Sequence, residues 1–327
     1  MKQWLLKKWS SRNWLTILLL PVSLLYRFVI LKKRSAFLTN PPIKHPIPIV
    51  IVGNIYVGGT GKTPIVVHIV NLLKKRGYNP AVISRGYGVK VDIPKEVGNG
   101  SSTKQVGDEP MLIYNNCNVP IVVGPDRNAS VEYILQKCDC DIIISDDGLQ
   151  HYALNRDIEI VVFDGQKGLG NGFLLPAGPL REPFDRINRA DFTLINGNSS
   201  YLKGTSFFLE IEHAVNMVCG ETVDLKQFSI KAGIGKVHAV AGIGNPERFF
   251  AQLEQFGLEV IRHEYDDHYP YSEHNLDFVD GYPVVMTEKD AVKCMKFAKD
   301  DWWMIPASVR FSGDFESQFL AKVKQVS

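Results

Sequence analysis

Hydrophobic positions follow two different spacings once the first forty residues have passed. Residues 47–52 form a short apolar run of mostly β-branched side chains, which is typical of a buried parallel strand. A glycine-rich stretch follows, and apolar residues then recur with helical spacing over residues 64–75. Pro64 is compatible with this helix because the first N–H groups of a helix have no intrahelical partner. The pattern predicts a strand, a glycine-rich loop and a helix, in that order.

Five later segments repeat the change from an apolar run to a polar loop. They are YNPAVISRGYG, VPIVVGPDR, CDIIISDDGLQH, IEIVVFD and ADFTLING. The repetition predicts an α/β fold with a doubly wound, mostly parallel sheet. Such sheets bind ligands beyond the carboxyl ends of their strands, so the polar residues at these ends are candidate site residues.

A second alternating series begins after residue 222. Its segments are KVHAVAGIG, NPERFFAQLEQFG, LEVIRHEY and YPVVMTEKDAVK, which predict a smaller α/β domain. We therefore divide the chain into residues 1–40, a membrane-associated helix and linker; residues 41–222, the main domain; and residues 223–327, a smaller domain. The linker is assigned from the proline-rich stretch NPPIKHPIP.

The segment from Trp14 to Leu31 is apolar apart from three polar residues. On a continuous helix, the polar residues of this region fall within roughly a third of the circumference. They are Lys8, Arg12, Thr16, Ser23, Arg27 and Arg34. We favour a helix that lies in a bilayer interface, with its apolar side chains inserted and its cations at lipid head groups. A spanning helix and a helix packed on the protein itself remain alternatives.

The charge distribution narrows the class of partner. The chain has 327 residues and a formal net charge of +2, which argues against a dedicated nucleic-acid binder. No Asp or Glu occurs before Asp92, whereas Lys and Arg are frequent in the first 34 residues. We expect the N-terminal region to meet an anionic surface.

The glycine-rich loop predicts a nucleotide site and the fold of P-loop NTPases. Gly58, Gly59 and Gly61 allow backbone N–H groups to turn towards phosphate oxygens, and Lys62 reaches the β- and γ-phosphates. Thr63 is a candidate Mg²⁺ ligand. Tyr56 stands where the usual G-x-x-x-x-G-K-[ST] pattern has its first glycine, but the inner part of the loop is intact.

A pair of carboxylates ends one of the predicted buried strands. Asp146 and Asp147 would face the phosphate loop, where Mg²⁺ favours one or two carboxylates together with phosphate oxygens. The alternative is an acidic turn after a strand, in which Asp serves local hydrogen bonding. We favour the metal site because the glycine loop accompanies it.

Seven segments taken together resemble the bacterial tetraacyldisaccharide 4'-kinase family of lipid A biosynthesis. They are VGGTGKTP, SRGYG, GDEP, SDDGLQH, LPAGPLREP, DDHYPYS and TEKDAVK. The resemblance implies transfer of the γ-phosphate of ATP, with Mg²⁺, to the 4'-hydroxyl of a tetraacylated glucosamine disaccharide 1-phosphate. It also implies a location at the cytoplasmic face of the inner membrane, with peripheral or monotopic attachment and a single span left open. We expect a monomer.

Roles for individual residues follow from this resemblance. Asp108 is implied as the catalytic base and His268 as the residue that orients it. The expected ATP-binding residues are Val57, Gly58, Gly59, Thr60, Gly61, Lys62, Thr63 and Pro64. The expected metal-binding residues are Thr63, Glu109, Asp146, Asp147 and Gln150. The expected lipid-binding residues are Arg85, Arg127, His151, Arg181 and Glu182, with Glu182 placed on a sugar hydroxyl.

For several of these residues, the alternative is a structural or surface role without a substrate contact. Asp108 could cap a helix, His268 could be a surface histidine, and each arginine could be a solvated surface charge. Because Asp108 and His268 fall in different predicted domains, we expect the domains to close over the substrates.

Other functions also remain open. A membrane-associated P-loop ATPase or GTPase switch would use the same loop, although TEKDAVK lacks the N-K-x-D order of a GTP-binding motif. Another small-molecule kinase would not require so apolar an N-terminal region.

Overall fold

Two β-sheets organise the chain in a computed structural model, which describes residue 4, residues 8–231 and residues 235–327. We call the nine-stranded sheet and its helices the larger lobe, and the six-stranded sheet and its helices the smaller lobe. The larger sheet has the strand order β15-β8-β7-β6-β1-β5-β2-β4-β3. Its strands are β1 Ile49–Gly53, β2 Pro80–Ser84, β3 Lys95–Glu96, β4 Ile121–Val123, β5 Ile142–Asp146, β6 Ile158–Asp164, β7 Phe192–Asn196, β8 Thr205–Ile211 and β15 Ala307–Phe311.

Strand β1 lies at the centre of the larger sheet and pairs in parallel with β5 and β6. All five of its residues are buried, because helices cover both faces of the sheet. The parallel pairing brings the carboxyl ends of β1, β2 and β5 to one edge. The predicted doubly wound, mostly parallel sheet is confirmed, and the predicted strands lie where the apolar runs placed them.

Helices cover the sheets and close the apolar cores. The helix after the glycine loop begins at Lys62, two residues earlier than the spacing predicts, and buries Ile65, Ile69 and Leu73 against the larger sheet. The α-helices are Trp14–Leu18, Leu20–Thr39, Lys62–Lys75, Thr103–Val106, Asp108–Cys117, Arg127–Lys137, Leu225–Lys231, Pro246–Gln255, Glu288–Cys294 and Phe315–Val326. Short 3₁₀ helices occur at Phe184–Arg189, Glu273–Leu276 and Met295–Phe297.

The smaller sheet has the order β10-β9-β14-β13-β11-β12. Its strands are β9 His213–Asn216, β10 Thr222–Asp224, β11 Lys236–Ala241, β12 Glu259–Glu264, β13 Val284–Thr287 and β14 Trp302–Ile305. Strands β11 to β14 are parallel, as the alternating pattern predicts, and β9 and β10 add an antiparallel edge.

Sheet pairing corrects the predicted boundary at residue 223 in two places. Strand β9 precedes that boundary but belongs to the smaller sheet, because it pairs with β14. Strand β15 follows the boundary but pairs with β8 of the larger sheet. The helix Phe315–Val326 then buries Phe315, Phe319 and Val323 in the core of the larger lobe. The smaller lobe is thus inserted between two neighbouring strands of the larger one.

The N-terminal segment forms a short helix and a long one, with Leu19 between them in a helical conformation. Contrary to the expectation that the polar stripe faces lipid head groups, Thr16, Ser23 and Arg34 of this stripe are buried against the protein. The Ser23 hydroxyl donates a hydrogen bond of 2.9 Å to the Leu174 carbonyl, which holds the helix to the larger lobe.

The opposite face of this helix is apolar and exposed. Leu25 and Phe28 each expose 64% of their surface, and neighbouring apolar side chains are also exposed. These neighbours include Leu24, Val22, Val29, Leu31 and Leu38. Among the described residues, no helix is both long enough and apolar enough to cross a bilayer. Residues 1–3 and 5–7 of the predicted segment, with Lys2 and Lys7, lie outside the described part.

Candidate active site

The glycine loop connects the carboxyl end of β1 to the helix Lys62–Lys75. Gly58 and Gly61 adopt positive φ angles of 118° and 93°, which side chains with a Cβ rarely tolerate. Asn54 braces the loop, because its Nδ2 donates to the Gly58 carbonyl at 3.2 Å and to the Thr60 hydroxyl at 3.1 Å. The loop is thereby held at the helix N-terminus, where backbone N–H groups and the helix dipole favour an anion.

Tyr56 replaces the first glycine of the usual loop pattern and serves packing. Its side chain is buried in the core, and its backbone forms a bridge with Leu180. The next residue, Val57, donates its N–H to the Pro179 carbonyl at 2.9 Å. Burial raises the pKa of Tyr56 to about 12. This position anchors the outer end of the loop to the segment before Arg181.

Asp147 lies between two cations. Lys62 Nζ is 3.5 Å from Asp147 Oδ1, and Arg181 Nη1 donates to both carboxylate oxygens, at 3.2 and 3.0 Å. Burial acts in the opposite direction, but Lys62 and Arg181 together hold the pKa of Asp147 below its ordinary value. The carboxylate is therefore charged beside the phosphate loop. Its φ of 50° marks a backbone conformation that Asp tolerates better than most residues.

Asp146 has the opposite environment. It is buried, and burial together with the nearby carboxylates of Glu109 and Asp147 raises its pKa to about 7. Ser84 Oγ lies 3.4 Å from Oδ2, whereas Oδ1 is buried with no hydrogen-bond partner among the described residues. An oxygen in this state fits a cation, which would supply the missing partner and favour ionisation.

The carboxylates alone do not form a complete metal cage. In the described part of the chain, no group of three or more His, Cys, Asp or Glu side chains is arranged to hold a metal ion. This agrees with the chemistry of Mg²⁺, which takes one or two carboxylates and completes its shell with phosphate oxygens and water. Asp146 and Asp147 fit such a site, and Thr63 is the second residue of the adjoining helix Lys62–Lys75.

Asp108 and His268 meet across the two lobes. His268 Nδ1 lies 3.1 Å from Asp108 Oδ2, and the His268 ring lies against Tyr87 with ring centroids 4.9 Å apart. The helix Asp108–Cys117 has Gly107 as its N-cap, so the alternative that Asp108 caps this helix is wrong. His268 has a φ of 65° and is not a simple surface histidine.

An ion-pair cluster beside this contact was missed by the sequence analysis. Lys289 Nζ lies 3.0 Å from Glu109 Oε1 and 2.9 Å from Asp267 Oδ1, and thereby joins the two lobes. Despite burial, Lys289 holds the pKa of Glu109 below its ordinary value. The motif TEKDAVK marked this region, but nothing in its spacing indicated which lysine would cross between the lobes.

Two cavities adjoin the loop on opposite sides. The first, of about 310 Å³, lies between the lobes and is lined by loop residues 59–64 together with Ile243, Arg248 and Phe249. The second, of about 550 Å³, contains Asp146, Asp147 and His268. The cavities share Gly59, Lys62, Glu109 and Lys289 in their linings. The predicted ATP-binding segment 57–64 is divided between them, with residues 57–59 lining the second.

The second cavity also gathers the predicted acceptor-side residues. Arg85, Arg127, His151 and Arg181 all line it, and so does Gln150 from the predicted metal-binding set. Burial lowers the pKa of His151, and the nearby Arg127 acts in the same direction, so this imidazole is held neutral. Arg127 is almost fully buried and donates to the Gly124 carbonyl at 2.7 Å. The cavity therefore carries three arginines, of which Arg127 lies close enough to Asp146 to interact with its carboxylate.

Glu182 does not occupy the predicted position. Its side chain is fully buried, so it offers no oxygen to a sugar hydroxyl. Gln150 Nε2 donates to one carboxylate oxygen at 3.0 Å, and the Tyr152 hydroxyl donates to the other at 2.6 Å. Arg186 Nε lies 3.3 Å away. The prediction of a direct sugar contact is wrong because the carboxylate is used to hold Gln150, whose Oε1 contacts Arg181.

Comparison with known proteins gives consistent matches over nearly the whole chain. A family model described as Tetraacyldisaccharide-1-P 4'-kinase matches residues 15–324. The tetraacyldisaccharide 4'-kinase of Shewanella piezotolerans is 44% identical over 334 residues, which cover 100% of this chain and 98% of the relative. That of Pasteurella multocida is 42% identical over 324 residues, 97% of this chain and 98% of the relative. A structure of LpxK from Aquifex aeolicus in complex with ATP has a TM-score of 0.79 and 29% identity, covering 95% of this chain and 99% of that one.

Proposed function

The chain belongs to the Tetraacyldisaccharide-1-P 4'-kinase family, and we propose that its two cavities hold the two substrates of that reaction. The activity is transfer of a phosphoryl group from ATP to the 4'-hydroxyl of a tetraacyl disaccharide 1-phosphate, a step of lipid A synthesis. ATP would bind with its base and ribose in the cavity between the lobes. The disaccharide would bind in the second cavity.

One observation carries this division: the two cavities share Lys62 and Glu109 at the glycine loop. A γ-phosphate held by the loop would then face the acceptor cavity, whose lining includes His268, the hydrogen-bond partner of Asp108. Phosphoryl transfer depends mainly on such positioning and on neutralisation of charge. Lys62 supplies a cation at this point, and Asp147 orients its ammonium group.

Asp108 is the proposed acceptor of the 4'-hydroxyl proton. As the hydroxyl oxygen forms its bond to the γ-phosphorus, the bond from phosphorus to the β-phosphate oxygen breaks and ADP leaves. His268 donates or shares the proton at Nδ1 and so fixes the orientation of the Asp108 carboxylate. Tyr87 packs on the imidazole and limits its rotation.

The residues that would hold Mg²⁺ are Asp146 and Asp147, with Thr63 on the adjoining helix, and Glu109 and Gln150 line the same cavity as the two aspartates. When bound, Mg²⁺ neutralises charge on the phosphate oxygens during transfer. The unpartnered Oδ1 of Asp146 supports this assignment. Asp147 stays bound to Lys62 and Arg181, which supports Asp146 as the direct ligand.

The arginines of the second cavity would hold the acceptor. Arg85 and Arg127 offer guanidinium groups to a phosphate or to sugar oxygens, and His151 offers a neutral imidazole. Arg181 would contact the acceptor while it stays hydrogen-bonded to the Asp147 carboxylate. Tyr26 of the N-terminal helix lines the same cavity, which supports entry of the acceptor along that helix.

The N-terminal helix supports a membrane location at the cytoplasmic face. Its exposed apolar face would insert among acyl chains, while its buried polar residues keep it attached to the enzyme. An acceptor with four acyl chains does not leave the bilayer, so the active site must lie beside it. Because each substrate cavity is complete within a single chain, we propose that the enzyme works as a monomer.

The test follows ³²P from Mg-ATP labelled at the γ-phosphate into a tetraacyl disaccharide 1-phosphate in mixed micelles. We expect transfer by the unmodified protein, and loss of transfer in Asp108→Ala and Lys62→Ala. Lys75→Ala, at the far end of the loop helix, is the matched control for Lys62→Ala.

Two results would change the assignment. Unchanged transfer by Asp108→Ala would leave the kinase in place and remove that residue from catalysis. ATP hydrolysis without any labelled lipid would instead favour the membrane-associated nucleotide switch, which uses the same glycine loop.

A further inference from the structure

A third cavity lies on the larger lobe, below the last turns of the helix Leu20–Thr39. It has a volume of about 190 Å³. We call it the arginine pocket, because four of its lining residues are Arg34, Arg156, Arg186 and Arg189. Glu159 is the single acidic residue in the lining. The pocket shares no lining residue with the acceptor cavity, so it is a separate site.

Two of these arginines are buried, and one of them has a donor without a partner among the described residues. Arg186 is 3% exposed; its Nη2 contacts Glu159, but Nη1 is buried with no hydrogen-bond partner in the described part of the chain. Arg34 is 8% exposed, and its charge acts on the Tyr152 hydroxyl in the same pocket lining. Arg186 is ion-paired with Glu159 and Glu182, but its buried Nη1 donor has no partner within residues 8–231 and 235–327. Because the lining holds four guanidinium groups and one carboxylate, an anion in this pocket would be stabilising.

The position of the pocket indicates the source of that anion. Leu38 is 61% exposed and forms part of the lining, at the end of the apolar helix face. If that face lies in a bilayer, as the proposed function has it, the pocket opens at the level of the lipid phosphates. Lys32 and Lys33 are exposed on the same part of the helix and add positive charge.

We propose that the arginine pocket binds the phosphate group of an anionic membrane phospholipid. Planar guanidinium groups recognise phosphate oxygens through paired N–H donors, which a single lysine does not provide. The aromatic ring of Phe37 and the side chain of Leu38 border the pocket and would contact the glycerol and the first methylenes. This inference rests on the membrane location given above, but it concerns a ligand other than either substrate.

The pocket is connected to the catalytic loop after β5. Arg156 Nη1 donates to the Leu149 carbonyl at 3.0 Å, and Nη2 donates to the His151 carbonyl at 2.6 Å. A lipid phosphate beside Arg156 would therefore contact the same side chain that holds residues 149–151 in place. Binding of the lipid would favour the loop conformation in which Gln150 and His151 line the acceptor cavity.

The direct test uses soluble short-chain lipids at concentrations below micelle formation. Dihexanoyl phosphatidylglycerol provides the phosphate, dihexanoyl glycerol lacks it, and inorganic phosphate provides it without a lipid. Binding to the full chain is measured by isothermal titration and by the shift in unfolding temperature. We expect saturable binding of the phosphatidylglycerol, with dihexanoyl glycerol and inorganic phosphate each at least tenfold weaker.

Two variants and one control place the site. Arg34→Gln and Arg189→Gln should each weaken binding of the phosphatidylglycerol about tenfold. Arg27→Gln removes the same charge from an exposed position of the same helix, outside the pocket, and should leave binding unchanged. Arg189 is exposed, so its replacement keeps the test valid if Arg34→Gln fails to fold.

Several outcomes would overturn the inference. Equal weakening by Arg27→Gln would mean general charge attraction, and equal binding of inorganic phosphate would mean a site for free phosphate. If Arg34→Gln or Arg189→Gln raised KM for the disaccharide acceptor tenfold and left phosphatidylglycerol binding unchanged, the pocket would be part of the acceptor site. If the unmodified protein bound no phosphatidylglycerol but kept its kinase activity, this inference would be wrong and the proposed function would stand.

Discussion

The Nδ1 atom of His268 lies 3.1 Å from the Oδ2 atom of Asp108, although 160 residues separate them in the chain. The two residues belong to different lobes, so this contact exists only while the lobes are together. The proposed base is thus oriented by the part of the protein that also closes the cavity between the lobes. Catalytic geometry and lobe closure are therefore coupled.

Replacing Asp108 with Asn should lower kcat by a factor of about 10² to 10⁴, because the amide cannot accept the hydroxyl proton. His268→Asn should lower kcat less, since the carboxylate would remain. We expect KM for ATP to change little in either variant. Initial rates at several ATP and acceptor concentrations separate kcat from KM, and a variant that mainly raises KM for ATP would contradict the assigned roles.

Lys289→Met should weaken closure of the lobes, because Glu109 and Asp267 would lose the cation that lies between them. We expect KM for ATP to rise about tenfold, which corresponds to about 1.4 kcal/mol. Lys289→Arg should restore much of the loss. Lys299→Met breaks an exposed ion pair within the smaller lobe and serves as the control. A normal KM for ATP in Lys289→Met would show that the lobes close without this contact.

Gly244→Ala should disturb the approach of the smaller lobe to the phosphate loop. A Cβ at this position would lie 2.9 Å from the Cα and carbonyl oxygen of Gly59, so the backbone must shift. We expect ATP binding by isothermal titration to weaken about tenfold, while the unfolding temperature changes by a few degrees at most. Gly98→Ala, where a Cβ would have no neighbour within 4 Å, should bind ATP normally.

Glu182→Gln should lower the stability of the protein and have a smaller effect on KM for the acceptor. The buried carboxylate compensates Arg186 and accepts hydrogen bonds from Gln150 and Tyr152. Removal of its charge should lower the free energy of unfolding by roughly 3 kcal/mol, as for other buried ion pairs broken on one side. Urea unfolding measures this change. An unchanged midpoint, combined with a large rise in KM for the acceptor, would return Glu182 to a substrate-binding role.

His68 should make the protein less stable in mild acid. Burial lowers its pKa from the ordinary value of 6.5, although Glu316 acts in the opposite direction. The unfolded chain therefore binds this proton more tightly than the folded one, and the contribution of His68 to stability is full above pH 6.5 and is lost as the pH falls below it.

His68→Gln should consequently lose less unfolding free energy between pH 7.5 and pH 5.5 than the unmodified protein. Urea unfolding at both pH values provides the measurement. His274 is exposed, and His274→Gln should behave like the unmodified protein. An identical loss in His68→Gln and the unmodified protein would exclude the proposed contribution.

Much of the larger lobe could be predicted from local pattern. Short β-branched runs such as Ile49–Gly53 are typical of buried strands, and glycines followed by Lys62 and Thr63 favour a strand before and a helix after them. Parallel pairing then brings the strand ends together, so Asp146 could be placed beside the loop from the predicted sheet alone, before the structure was known. The pairing of Asp108 with His268, however, was expected only through the resemblance.

The features that could not be predicted depend on contacts between distant segments. Nothing local to residues 307–311 indicates that this strand returns to the larger sheet. The burial of Glu182 depends on Tyr152 and Arg186, which the sequence does not place together. The N-terminal helix shows the same limit, because its polar stripe is equally compatible with lipid head groups and with the protein surface that it contacts.

The insertion of the smaller lobe between β8 and β15 also sets the order of events during translation. Strand β8 leaves the ribosome before its outer neighbour, which emerges only after residues 212–306 have been synthesised. Until then β8 presents an unpaired edge, which is prone to aggregation. The phosphate loop is therefore made early in the nascent chain, yet the sheet that supports it is completed only once the whole inserted lobe has emerged.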